Sequence, residues 1–142
     1  MAFNILVVDD SAVMRTMIVR TLKMSGVPIA SIHEAANGEE GLRRLQDEWI
    51  DLLLLDVNMP VMNGEEMLQR IRADERTRDL AVVIVSTEGS ETRLAALQAL
   101  GAAIVHKPFP PETLRETILR VTGVTDVDYY GTVAATSDSL DF

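Results

Sequence analysis

Short runs rich in Val, Ile and Leu alternate five times along this chain with segments whose apolar residues recur at helical spacing. Few folds accommodate that rhythm. Strands buried on both faces read as near-continuous apolar runs, and parallel strands need long crossovers between them. The alternation therefore predicts an α/β protein, a three-layer sandwich with a five-stranded parallel sheet between five helices. Strands are expected at residues 4–8, 31–35, 50–55, 81–85 and 103–106. The first helix is capped by Ser11, buries Met14, Met17, Ile18 and Leu22 on one stripe, and stops at Gly26 with Pro28 behind it. The second follows Asn37-Gly38 and packs through Leu42, Leu45 and Trp49; the third follows Asn63-Gly64 and buries Met67, Leu68 and Ile71. The fourth uses Leu94, Leu97 and Leu100 before Gly101, and the fifth, opened by Pro110-Pro111, uses Leu114, Ile118 and Val121.

With 142 residues the chain has enough length for one sizeable core. One folded domain over residues 1–122 is expected, followed by an acidic tail, 123–142, that is flexible or docks on a partner. That tail holds four aspartates, no lysine or arginine, and apolar side chains at Val127, Tyr129, Tyr130, Leu140 and Phe142. A net charge of −9 supplies no basic stripe for phosphodiesters, so nucleic acid is excluded as a direct partner. Cysteine is absent, and no apolar stretch approaches the roughly 18 residues that span a bilayer. No basic segment leading into an apolar one opens the chain. A cytoplasmic protein without membrane contact is expected, as a monomer or weak dimer.

The strand ends carry the chemistry. Four leucines, Leu52 to Leu55, run straight into Asp56, and the first strand runs into Asp9-Asp10. The carboxyl ends of strands in open α/β sheets face the crevice where ligands bind. If the two strands are neighbours, three carboxylates meet at one rim, an arrangement tolerable only with a cation or a bound proton. All-oxygen ligation by carboxylates, a backbone carbonyl and water suits Mg2+, and there is no His or Cys cluster to favour a softer metal. The fourth strand ends at Ser86-Thr87 and the fifth at His106-Lys107-Pro108, adding a hydroxyl and an ammonium. Each residue alone has a plainer use, as a turn cap, a helix-dipole partner or a solvated charge. Together they form a set that accepts a phosphoryl group, with Asp56 as nucleophile and Lys107 and Ser86 holding the phosphoryl oxygens.

These residues also carry a resemblance. Val-Val-Asp-Asp-Ser, Leu-Leu-Asp-Val-Asn-Met-Pro followed by Asn-Gly, Val-Ser-Thr-Glu-Gly and His-Lys-Pro-Phe, in that order, resemble the receiver domain of bacterial two-component response regulators. The likeness is to stand-alone, CheY-like members and covers residues 3 to about 122. It implies a flavodoxin-like fold with strand order 2-1-3-4-5, for which such receivers are a standard example. It also implies a histidine kinase as phosphodonor to Asp56, a Mg2+ ion held by Asp9, Asp10, Asp56 and the backbone carbonyl of Asn58, and a cis bond at Lys107-Pro108. Output would pass to a downstream protein through the fourth helix, fifth strand and fifth helix, a mixed face carrying Glu91, Arg93, Glu112, Arg115, Glu116 and Arg120. Chemotaxis is one such pathway.

The resemblance assigns the site hydroxyl to Ser86 rather than Thr87. Ser86 lies 15 residues before Gly101, the family's usual interval, and 21 before Lys107, one short of it. A one-residue deletion between Gly101 and Ile104 accounts for the difference. Ile104 then occupies the switch position that much of the family fills with an aromatic ring, so activation is expected to work through the loops after the fourth strand. Asn58 and Glu88, two beyond Asp56 and Ser86, flank the path of attacking water and match regulators with short-lived phosphoryl groups. A haloacid-dehalogenase-type phosphatase would want an acid where Asn58 stands, and a flavodoxin would be repelled by Asp9-Asp10. A receiver-like interaction module that is never phosphorylated would lack an acid or the lysine, and neither is missing. The expected protein is thus not a turnover enzyme but a phosphoacceptor with its own phosphorylation and dephosphorylation chemistry.

Overall fold

A computed structural model describes residues 2–87 and 89–123. Its elements run β1 (Phe3–Val8), α1 (Ala12–Ser25), β2 (Ile29–Ala35), α2 (Gly38–Asp47), β3 (Leu52–Leu55), α3 (Gly64–Ala73), β4 (Ala81–Ser86), α4 (Glu91–Ala99), β5 (Ala103–His106) and α5 (Pro111–Thr122). All five strands are parallel, in the order β2-β1-β3-β4-β5. This is the flavodoxin-like arrangement expected from the sequence. β1 and β3 are neighbours, paired Val8 with Leu55, so their carboxyl ends reach the rim together.

Alternate side chains of the central strands feed two separate cores. Ile5, Val7, Leu52, Leu54, Val83 and Val85 pack on one face against Ile18 and Leu22 of α1 and Leu114 and Ile118 of α5. Leu6, Val8, Leu53, Leu55, Val82 and Ile84 pack on the other against Met67, Leu68 and Ile71 of α3 and Leu97 of α4. A strand sandwiched in this way must be apolar at every position, which explains the four leucines of β3. The strand ends on its acid because Asp56 is where the sheet stops being covered.

Some packing expectations fail. α2 ends at Asp47, with Glu48 as its C-cap, so Trp49 lies beyond the helix and is 80% exposed, its indole N–H donating to Asp51 Oδ1. Met17 does not join the buried stripe of α1; it is 54% exposed while Ile18 and Leu22, spaced four apart, go under. β3 starts at Leu52 rather than at residue 50. Asp51 pairs with Asn4 through both its backbone N–H and its side chain, which turns the chain into the strand. β2 begins two residues earlier than expected, at Ile29, and β4 runs one further, through Ser86. The tail from residue 124, with its proposed docking side chains, lies outside the described residues.

Candidate functional site

Asp9, Asp10 and Asp56 converge. One carboxylate oxygen from each lies within 4.8 Å of the others, with Asp9 2% exposed, Asp56 nearly buried and Asp10 open to solvent. The local chain holds them in place. The Asp56 N–H donates to Val8 O, tying the end of β3 to the end of β1. Asp9 Oδ1 accepts from the Ser11 N–H, while Ser11 itself caps α1 by accepting from the Met14 N–H. Arg15 braces the same corner, donating to the Asp9 carbonyl at 2.6 Å and to Glu34 at 2.9 Å.

Lys107 comes in from the far edge. Its side chain is only 13% exposed, and its Nζ sits 3.4 Å from Asp9 Oδ2 and 4.0 Å from Asp56 Oδ1. Its N–H donates to the carbonyl of Ser86, which is fully buried at the end of β4, so lysine and serine are positioned as one unit. The Lys107-Pro108 bond is cis, as the resemblance implied. Thr87 is exposed and does not cap α4; that role falls to Ser90, whose Oγ accepts from the Arg93 N–H. Ile104 is half-buried against the same core as Leu94 and Leu97 of α4. Glu88 lies outside the described residues.

The electrostatics are those of a site short of positive charge. Burial, then the neighbouring Asp9 carboxylate, raise the Asp56 carboxyl above its ordinary value; Lys107 and the N–H groups of Asn58 and Val57 pull the other way without prevailing. Three carboxylates against one ammonium fit a hard divalent cation with oxygen ligands. The loop after Asp56 is held tightly: the Gly64 N–H donates to Val57 O, and a Cβ at Gly64 would overlap the Asp56 carbonyl. Sequence reading missed the contact at the mouth of the site, where Arg93 of α4 donates to Asn58 Oδ1 at 2.8 Å. The available signal was a basic residue in the first turn of a helix, where the dipole favours acids.

Residues 5–119 match the response regulator receiver domain. The chain is 36% identical over 125 residues to the chemotaxis protein CheY1 of Helicobacter pylori, an alignment covering 87% of this chain and 99% of that one. It is 42% identical over 108 residues to a protein-glutamate methylesterase/protein-glutamine glutaminase of Caulobacter vibrioides, where the match takes 74% of this chain and 30% of the relative. Among solved structures, the chemotaxis response regulator CheY4 of Vibrio cholerae superposes with a TM-score of 0.74 at 35% identity, covering 85% of this chain and 99% of that one. With its sheet order, acidic corner and cis-proline lysine in place, this chain belongs to the receiver domain family of two-component response regulators.

Proposed function

We propose that the chain is a phosphorylation-controlled signalling switch whose acceptor is Asp56. In this reading a carboxylate oxygen of Asp56 attacks the phosphorus of a phosphohistidine on a histidine kinase. A P–O bond forms as the P–N bond breaks, and the electron pair leaves with the imidazole nitrogen. The observation that carries the reading is the convergence of Asp9, Asp10, Asp56 and Lys107 on one rim. Mg2+ would be held by Asp9, Asp10, Asp56 and the Asn58 backbone carbonyl, where it neutralises charge on the phosphoryl oxygens. Lys107 and Ser86 bind those oxygens and keep the group in line with Asp56. Hydrolysis returns the carboxylate: water attacks phosphorus, the acyl P–O bond breaks and inorganic phosphate leaves. Asn58 and Glu88 set the pace of that step, and Thr87 and Ile104 take part in passing the change outward.

The phosphorylated form acts on a downstream protein through α4, β5 and α5, and chemotaxis is the pathway that the similar chemotaxis proteins favour. The chain works in the cytoplasm as a monomer or weak dimer. Incubation with acetyl phosphate and Mg2+ tests the core of this. Stoichiometric, acid-stable and base-labile labelling that is lost with EDTA and in Asp56→Ala is expected. Labelling that survives in Asp56→Ala, or no labelling at all, contradicts it.

A further inference from the structure

Arg93 occupies the first turn of α4, an electrostatically poor place for a cation. Its guanidinium reaches across 35 residues of sequence to a side chain on the β3–α3 loop, with Nη1 donating to Asn58 Oδ1 at 2.8 Å. Asn58 lies two residues beyond the acceptor, and its backbone N–H acts on the Asp56 carboxylate, pulling its pKa down against burial. One hydrogen bond therefore separates α4 from a residue that acts on Asp56. We propose that Arg93 is a positioning residue that changes partner with the state of the site. It holds Asn58 while Asp56 is a free carboxylate and turns to the phosphoryl oxygens once the group is in place, drawing the first turn of α4 with it. This rests on the acceptor reading of Asp56.

Relative acceptor strength drives the exchange. An amide oxygen offers the guanidinium a neutral partner. A phosphoryl group brings about −1.5 to −2 of charge and three strong acceptor oxygens. Guanidinium pairs with such groups in a bidentate, charge-assisted fork about twice as strong as a neutral hydrogen bond. Both partners sit on one loop, since Asn58 is two residues beyond Asp56, and the long side chain of Arg93 can change rotamer between them. Arg93 is half-buried, so its stem is anchored on α4 and the displaced charge acts on the helix.

The exchange also supplies a route that the switch position lacks. Ile104 has no ring to swing, but it packs against the same core as Leu94 and Leu97 on the underside of α4. A pull on the outer side of that first turn would repack against Ile104 from beneath. Lys107 is a poor substitute for this job, being committed to Asp9 and Asp56 on the β5 side of the rim.

Affinity for beryllium trifluoride in Mg2+, read by fluorine NMR and calorimetry, tests the exchange in the full chain. Beryllium trifluoride stands in for the phosphoryl group on Asp56. Arg93→Gln is expected to weaken its binding roughly five- to tenfold, the loss of one charge-assisted pair, and Arg93→Lys to recover part of it. Asn58→Ala is expected to tighten it roughly two- to fivefold, because one acceptor that competes with the phosphoryl oxygens for Arg93 is then gone. The double variant should match Arg93→Gln alone. Mg2+ affinity without beryllium trifluoride should move less than about twofold in Arg93→Gln, a readout that damage to the loop would shift. Wild-type affinity in Arg93→Gln, an Asn58→Ala gain that survives without Arg93, or an equal loss of Mg2+ affinity overturns the exchange and leaves Asp56 as acceptor. Failure of the wild-type chain to bind beryllium trifluoride overturns the acceptor reading and the exchange with it.

Discussion

Asp56 is a residue whose surroundings work against its charge. Burial and the Asp9 carboxylate raise its pKa in the folded chain, so the native state holds the proton more tightly than the unfolded state. In EDTA, ionised Asp56 costs stability at neutral pH. That cost is complete above the folded-state pKa, is relieved as pH falls through it, and vanishes below about 3.8, where both states are protonated. Asp56→Asn should therefore raise metal-free stability at pH 7 by about 1–2 kcal/mol, and the gain should shrink as pH approaches 4. Urea melts of both proteins across that range check it, and a gain that grows toward low pH contradicts it. Gly64 is the opposite case, a residue needed for what it lacks. Its missing Cβ lets α3 start against the Asp56 carbonyl. Gly64→Ala should cost about 1–3 kcal/mol by overpacking and slow acetyl-phosphate labelling as Asp56 shifts, whereas an unchanged melt and rate would mean that the loop gives way freely.

At the scale of elements, the sequence was legible wherever one local rule decided the outcome. The Ser11 cap and the left-handed Gly26 bound α1 as expected, whereas Asn37 and Asn63, read only as residues preceding α2 and α3, are their N-caps, with Gly38 and Gly64 already inside the helices. Asn63 and Glu66 form a full capping box at α3. Misreadings came where tertiary contacts decide. Met17 fits the apolar stripe of α1 by spacing, yet Ile18 and Leu22 fill the space beneath. Arg72 shows what local pattern cannot reveal. From α3, its Nε donates to Leu100 O after α4, and its Nη1 donates to Arg78 O and Leu80 O before β4. Burial lowers its pKa without threatening the charge of a guanidinium. Arg72→Ala strips three carbonyls of a charged donor and should destabilise the fold by about 2–4 kcal/mol. Thermal melts measure this, and a loss under about 0.5 kcal/mol would class Arg72 with ordinary surface residues.

Over the whole molecule, the candidate site is concentrated at one end of the sheet. Every side chain of the acidic corner, with Lys107 and Ser86, comes from the carboxyl end of β1, β3, β4 or β5, while exposed Trp49 sits by the opposite end of β3. The rim was legible because strand ends are marked in sequence by the point where an apolar run stops. Its bridge to α4 was not, because the partners Arg93 and Asn58 stand 35 residues apart and neither belongs to a strand. The account rests on one carboxylate out of three neighbours taking the phosphoryl group. Borohydride reduction of the acetyl-phosphate-treated protein in Mg2+, followed by peptide mass spectrometry, tests that directly, because reduction turns a phosphorylated aspartate into homoserine. Homoserine at position 56 alone is the predicted result. Homoserine at 9 or 10, or at none of the three, would contradict it.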